Sequence, residues 1–130
     1  MTAQLPLQSL AQAVQRYLDL MYDSDISRFD QVFHPTAQLH GFQEGRMTMW
    51  PAQTFREVMA GRPSPKELNA PRQEEILLLD FASPTQAMVK VRVRINSVVF
   101  VDHLTYHCID GAWLVTAKAY HVESRLPAAA

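Results

Sequence analysis

Apolar side chains recur at helical spacing through the first part of this chain and at strand spacing through the last. Leu7, Leu10, Ala11, Val14, Tyr17, Leu18 and Met21 fall on one stripe, with Gln8, Gln12, Gln15, Arg16 and Asp19 between them. That is the pattern of an amphipathic helix. Pro6 suits its first turn, and Tyr17 lies on its buried stripe. Ser24 or Asp25 can cap a second short helix carrying Ile26, Phe29, Val32 and Phe33, which Pro35 ends. A strand over Ala37–Phe42, a turn at Glu44-Gly45 and a strand over Arg46–Trp50 follow. They lead into a third helix, opened by Pro51 and capped by Gly61, that buries Phe55, Val58 and Met59. The stretch Arg62–Pro71 holds three prolines and reads as a loop, too short to divide two domains and placed to cover the mouth of a pocket.

From Ile76 onward the period is two. Ile76–Phe81 is a continuous apolar run. Ala87, Val89, Val91, Val93 and Ile95 alternate with Met88, Lys90, Arg92 and Arg94. Asn96-Ser97 makes a tight connection into the long strand Val98–Ile109. Asp110-Gly111 is a hairpin signal, and a last strand runs from Ala112 to about His121. Helices first and strands afterwards predict an α+β fold, with three helices of the N-terminal half packed on one side of a curved, cone-like antiparallel sheet. At 130 residues the chain reads as one domain, 1–130, with residues 126–130 a frayed tail.

The long strand changes the picture from fold to chemistry, because a carboxylate sits in its middle. Asp102 shares its face with Val98, Phe100, Leu104, Tyr106 and Cys108. A carboxylate on such a face is costly unless it is hydrogen-bonded, metal-bound or protonated. It is either a polar handle in an apolar pocket, a residue at a bulge, or a solvent-facing group if the register slips by one. The opposite face carries Val99, Val101, His103, Thr105, His107 and Ile109. It is too apolar to stay wet, which predicts a homodimer.

Composition narrows the function classes. Net charge is −1 and no basic run occurs, so nucleic acid is not an expected partner. The single cysteine, Cys108, cannot form an intrachain disulfide, which points to a reducing cytoplasm. The N-terminus MTAQLPLQSLAQAV has neither a basic region nor a long apolar core and does not read as a signal peptide. No segment reaches the length of a membrane span. His103 and His107 stand roughly 13 Å apart along a strand, too far to share one metal ion. No metal site and no cofactor are expected.

The segments Val14–Leu18 (VQRYL), Val32–Pro35 (VFHP), Val101–Leu104 (VDHL) and Ile109–Lys118 (IDGAWLVTAK) resemble the nuclear transport factor two-like superfamily. Within it the chain looks most like the subfamily labelled "putative lumazine-binding" and is more distantly similar to ketosteroid isomerase. That subfamily is also similar to the SnoaL-like polyketide cyclases. The resemblance implies a cone-shaped small-molecule pocket. In ketosteroid isomerase a helix tyrosine and a strand aspartate donate to a dienolate oxygen while a second aspartate moves the proton. By the resemblance Tyr17 and Asp102 match the two donors, whereas the position of the base falls at Gly41. His40 is adjacent, but neighbouring strand residues face opposite ways.

The candidate catalytic residues are therefore Tyr17 and Asp102, with His40 the only nearby group able to move a proton in place of the absent base. Tyr17 and Asp102 form either the polar base of a cavity or a structural hydrogen bond. Tyr22, Trp50, Phe55, Met59, Phe100, Leu104 and Tyr106 either line that cavity or are plain core. His34 is expected to close the C-terminus of the second helix. Lys118, Tyr120 and His121, at the end of the last strand, are expected in solvent. The expected function is binding of a small apolar or carbonyl-containing ligand. If the chain catalyses a reaction, it is a cofactor-free isomerisation, dehydration or cyclisation near a carbonyl. The other reading is a non-enzymatic homodimer that binds a ligand or a protein. With Gly41 in place of the base, steroid isomerase activity is not expected.

Overall fold

The computed structural model describes residues 6–127. The predicted frayed tail, 126–130, lies partly outside them. Helix α1 spans Pro6–Asp23 and buries Leu10, Val14, Tyr17, Leu18 and Met21 of the stripe read from its spacing, while Leu7 in its first turn is exposed and Ala11 half-buried. A 3-10 helix, Ile26–Gln31, follows, where the Asp25 side chain accepts from the Ser27 amide as a cap. Strand β1 then runs Phe33–Gln43, strand β2 Arg46–Pro51 and helix α2 Ala52–Ala60. Strands β3 (Glu74–Ser83), β4 (Gln86–Ile95), β5 (Val98–Ile109) and β6 (Ala112–Arg125) complete one sheet in the order β2-β1-β6-β5-β4-β3. The pairs are antiparallel except β1 with β6, which is parallel. The helices and the inner sheet face share one core. The Trp113 indole N–H donates to Ser9 Oγ at 2.9 Å and ties β6 to α1.

Two departures from the expected elements have one cause. The first strand begins at Phe33, not Ala37, and Pro35 lies inside it rather than closing a helix. Phe33 pairs with Val115, but the next paired residue is Gln38 with Ala117. Proline has no amide to give a ladder, so the chain bulges out of register around Pro35 and then resumes. His34 consequently sits on a strand, not at a helix end, and its Nδ1 lies 2.7 Å from Thr36 Oγ1.

The hairpins follow their dipeptides. Glu44-Gly45 and Asp110-Gly111 both have positive φ at the two central residues, the twist that matches two flanking strands. A further irregularity matters for the site. Thr105 pairs with Ala117 but Tyr106 pairs with Val115, leaving Thr116 as an extra residue on β6. Its hydroxyl donates to the Thr105 carbonyl and meets His107 Nδ1 at 2.6 Å. Before this bulge the inward residues are Trp113 and Val115. After it, Lys118 is the buried residue and Ala117 is exposed. An extra residue inverts the alternation of everything beyond it.

Candidate functional site

Asp102 is 1% exposed, on the inner face with Leu104 and Tyr106 as its spacing predicts. Tyr17, from the buried stripe of α1, donates its hydroxyl to Asp102 Oδ2 at 2.5 Å. Burial first, and the Asp102 charge second, push the Tyr17 phenol far above its ordinary range, so it stays a donor. The other carboxylate oxygen, Asp102 Oδ1, is buried with no hydrogen-bond partner. Such an atom in a native fold calls for an explanation.

Asp102 also lines a cavity of about 150 Å³. Its aromatic wall is Trp50 from β2, Phe55 from α2 and Phe100 from β5, with Leu39 and Ile95 completing the apolar lining. Trp50 and Phe55 stack at 6.2 Å, and Phe55 meets Phe33 edge-on at 5.6 Å, so the wall is anchored in the core. Its polar lining is Asp102, Lys118, Arg62, Gln43 and Tyr120.

Lys118 and Tyr120 are the residues that sequence reasoning placed in solvent. The β6 bulge turns both inward: Lys118 sits between Leu39 and Leu104, Tyr120 between Gly41 and Asp102. Lys118 is 6% exposed. Its Nζ lies 3.8 Å from Asp102 Oδ2, 3.9 Å from Met21 Sδ, and 4.9 and 5.2 Å from the ring centres of Phe55 and Tyr17. Burial lowers the Lys118 ammonium below the usual lysine range, Arg62 lowers it further, and Asp102 opposes both. Arg62, from the loop after α2, is likewise lowered by burial, and its Nε has no partner. The one sequence signal for Arg62 was the assignment of its loop to the mouth of a pocket.

Gly41 faces inward, as the base position should, but its missing side chain is replaced by a ring. A Cβ on Gly41 would lie 2.1 Å from Tyr120 Cζ. The space a base would occupy is filled by Tyr120. His40 is exposed on the other face of β1, away from the cavity.

Trp50, Phe55, Phe100 and Asp102 of the predicted set meet at the cavity, and Tyr17 stands one hydrogen bond behind it. Tyr22, Met59, Leu104 and Tyr106 do not line it. The Tyr22 hydroxyl donates to the Ala70 carbonyl at 2.9 Å, and its own carbonyl accepts from the Lys66 amide, so it pins the 62–71 loop. Met59, Leu104 and Tyr106 are fully buried core. An apolar stripe marks an inward face but does not say whether that face meets a wall or a void. Among the described residues no cluster of His, Cys, Asp or Glu is arranged to hold a metal ion, and no helix is long and apolar enough to cross a membrane.

Comparison with known proteins agrees with this architecture. A family described as "Putative lumazine-binding" matches residues 7–121. An aldolase, FrzH, from Cladobotryum sp. is 23% identical over 107 residues, covering 81% of this chain and 82% of its own. An NTF-2 like protein of unknown function from Silicibacter pomeroyi is 21% identical with a TM-score of 0.77, over 95% of this chain and 100% of its own. A ketosteroid isomerase-like protein from Erwinia carotovora atroseptica is 14% identical with a TM-score of 0.72, over 94% and 99%. These structures share the NTF2-like fold.

Proposed function

The chain belongs to the putative lumazine-binding family of NTF2-like proteins, and from that premise we propose that it binds a small carbonyl compound in the Asp102 cavity and moves a proton beside the carbonyl. The observation that carries this reading is the buried, unpartnered Asp102 Oδ1 at an apolar cavity. A ligand hydrogen placed there completes the hydrogen bonding of the carboxylate. Tyr17 holds Oδ2 and so fixes the carboxylate plane. It is a positioning residue, with its proton already committed to Asp102.

The chemistry expected is a cofactor-free isomerisation, dehydration, cyclisation or aldol-type reaction, all of which pass through a carbanion stabilised by an adjacent carbonyl. The aldolase named among the relatives fits that group. About 150 Å³ suits one six-membered ring. With Tyr120 filling the space beside Gly41, a steroid enone is not an expected substrate. The test uses cyclohexanone in heavy water. Wild-type protein should accelerate exchange of the hydrogens beside the carbonyl, followed by NMR, and Asp102→Asn should abolish that acceleration. Wild-type exchange at the buffer rate would refute proton transfer.

A second reading, a homodimeric ligand- or protein-binding module, is favoured by the outer sheet face. Phe42, Met47, Met49, Leu78, Met88 and Ile109 are all exposed there. Self-association would remove that apolar area from water. Sedimentation at micromolar concentration should give twice the chain mass, and a monomer would exclude this assembly.

A further inference from the structure

Lys118 is unlike the two other lysines of the chain. Lys66 is exposed and Lys90 is half-buried, whereas Lys118 is buried and lines the cavity. A structural buried lysine is held by carboxylates or carbonyls at hydrogen-bond distance. The carboxylate beside Lys118 Nζ has its Oδ2 3.8 Å away, and that oxygen already accepts from Tyr17. The group within hydrogen-bond reach is a thioether sulfur, a weak acceptor. Two aromatic rings and a second cation, Arg62, complete the surroundings. Burial without a hydrogen-bonded oxygen and the second cation favour the neutral amine, the nucleophilic form of lysine, and outweigh the pull of Asp102 and of the two ring faces toward the ammonium.

We infer that Lys118 is a Schiff-base lysine, forming a covalent imine with an aldehyde or ketone bound in the Asp102 cavity. This rests on the carbonyl-ligand reading of that cavity and adds a covalent step to it. The lone pair of Nζ attacks the carbonyl carbon, the N–C bond forms, and the π pair moves to oxygen. Asp102 accepts a proton from the nitrogen and returns it to that oxygen, giving a carbinolamine. The C–O bond then breaks, the nitrogen lone pair forms C=N, and the hydroxyl leaves as water with one proton from solvent. The sum is amine, carbonyl and one proton giving iminium and water, with no oxidant or reductant. The lowered Lys118 ammonium keeps the amine available nearer neutrality than at an ordinary lysine. The iminium withdraws electrons more strongly than the carbonyl it replaces, so Asp102 can remove a neighbouring proton.

The experiment uses benzaldehyde, whose ring fits a cavity of about 150 Å³, with sodium borohydride to reduce any imine to a stable benzylamine. Intact mass and peptide mapping at neutral pH should show one benzyl group on Lys118, formed ahead of Lys66, Lys90 and the N-terminus. The preference should vanish in urea-unfolded protein. Lys118→Met should lose that adduct, and Asp102→Asn should slow it. Label at Lys66 and Lys90 with none favouring Lys118 overturns the inference. Benzyl alcohol, which fits the same space and forms no imine, separates this failure from that of the cavity reading. Benzyl alcohol binding by NMR without a Lys118 adduct rejects the covalent step and keeps the pocket. Neither binding nor adduct rejects both.

Discussion

Two polar trios lie only a few residues apart, one on the outer face of the sheet and one between its inner face and α1, and they are built in opposite ways. On the outer face, Arg92 lies between Glu75 and Glu123, with contacts of 2.9 and 3.0 Å to carboxylates that stay largely in water. On the inner face, Lys118, Asp102 and Tyr17 are all buried, yet Lys118 misses hydrogen-bond distance to the carboxylate and one carboxylate oxygen has no partner. The exposed trio is well paired where pairing adds little. The buried trio is poorly paired where pairing matters most. A fold under selection for stability alone would satisfy the buried groups first. Under the proposed function, that unmet capacity is available to a ligand in the cavity.

The largest effect expected from breaking the contrast belongs to Asp102→Leu. It leaves the Tyr17 hydroxyl without its acceptor and Lys118 without its carboxylate. Leaving a buried donor unsatisfied costs roughly 1–3 kcal/mol, to be read from urea denaturation. A loss within experimental error would mean that the carboxylate supports nothing in the core.

Lys118→Met should have a smaller effect, one that depends on pH. The folded ammonium is lowered mainly by burial, so the native chain sheds this proton at lower pH than the unfolded chain does. Between the lowered value and the ordinary one of about 10.4 the unfolded state binds more protons, and stability rises with pH. Below that interval the charge is carried into the core. Wild-type protein should therefore gain on Lys118→Met as pH climbs through the interval, in denaturation midpoints measured across it. Parallel midpoint curves would place Lys118 in water. The smallest effect is that of Arg92→Gln, which should leave the midpoint unchanged at physiological salt. A clear loss there would make the outer trio structural and weaken the contrast.

What the sequence revealed and what it hid divide along the same line. Leu10, Val14 and Tyr17 were legible because helical period follows from backbone geometry. Asp102 was legible because β5 alternates through its central stretch. The hairpins at Glu44-Gly45 and Asp110-Gly111 were legible from residues that tolerate positive φ. The early start of β1 was hidden because Pro35 reads as a breaker, while a bulge in the pairing with β6 absorbs its missing amide. Met59, Leu104 and Tyr106 were indistinguishable from cavity wall, since burial against a neighbour and burial against a void use the same residue types. Lys118 and Tyr120 were hidden by the Thr116 bulge. Counted without interruption from Trp113 and Val115, the inward positions would be Ala117 and Ala119, which look like acceptable core.

The Thr116 bulge also works as a frame marker. Were β6 to pair regularly through Thr116, with no bulge, its end would keep the phase of Trp113, and two alanine methyls would face the cavity where an amine and a phenol face it now. Fold, composition and net charge would stay almost the same, while the lining changed from reactive to inert. Among sequences with this fold, whether β6 is bulged between its tryptophan and its lysine is then as informative about chemistry as the identity of either residue.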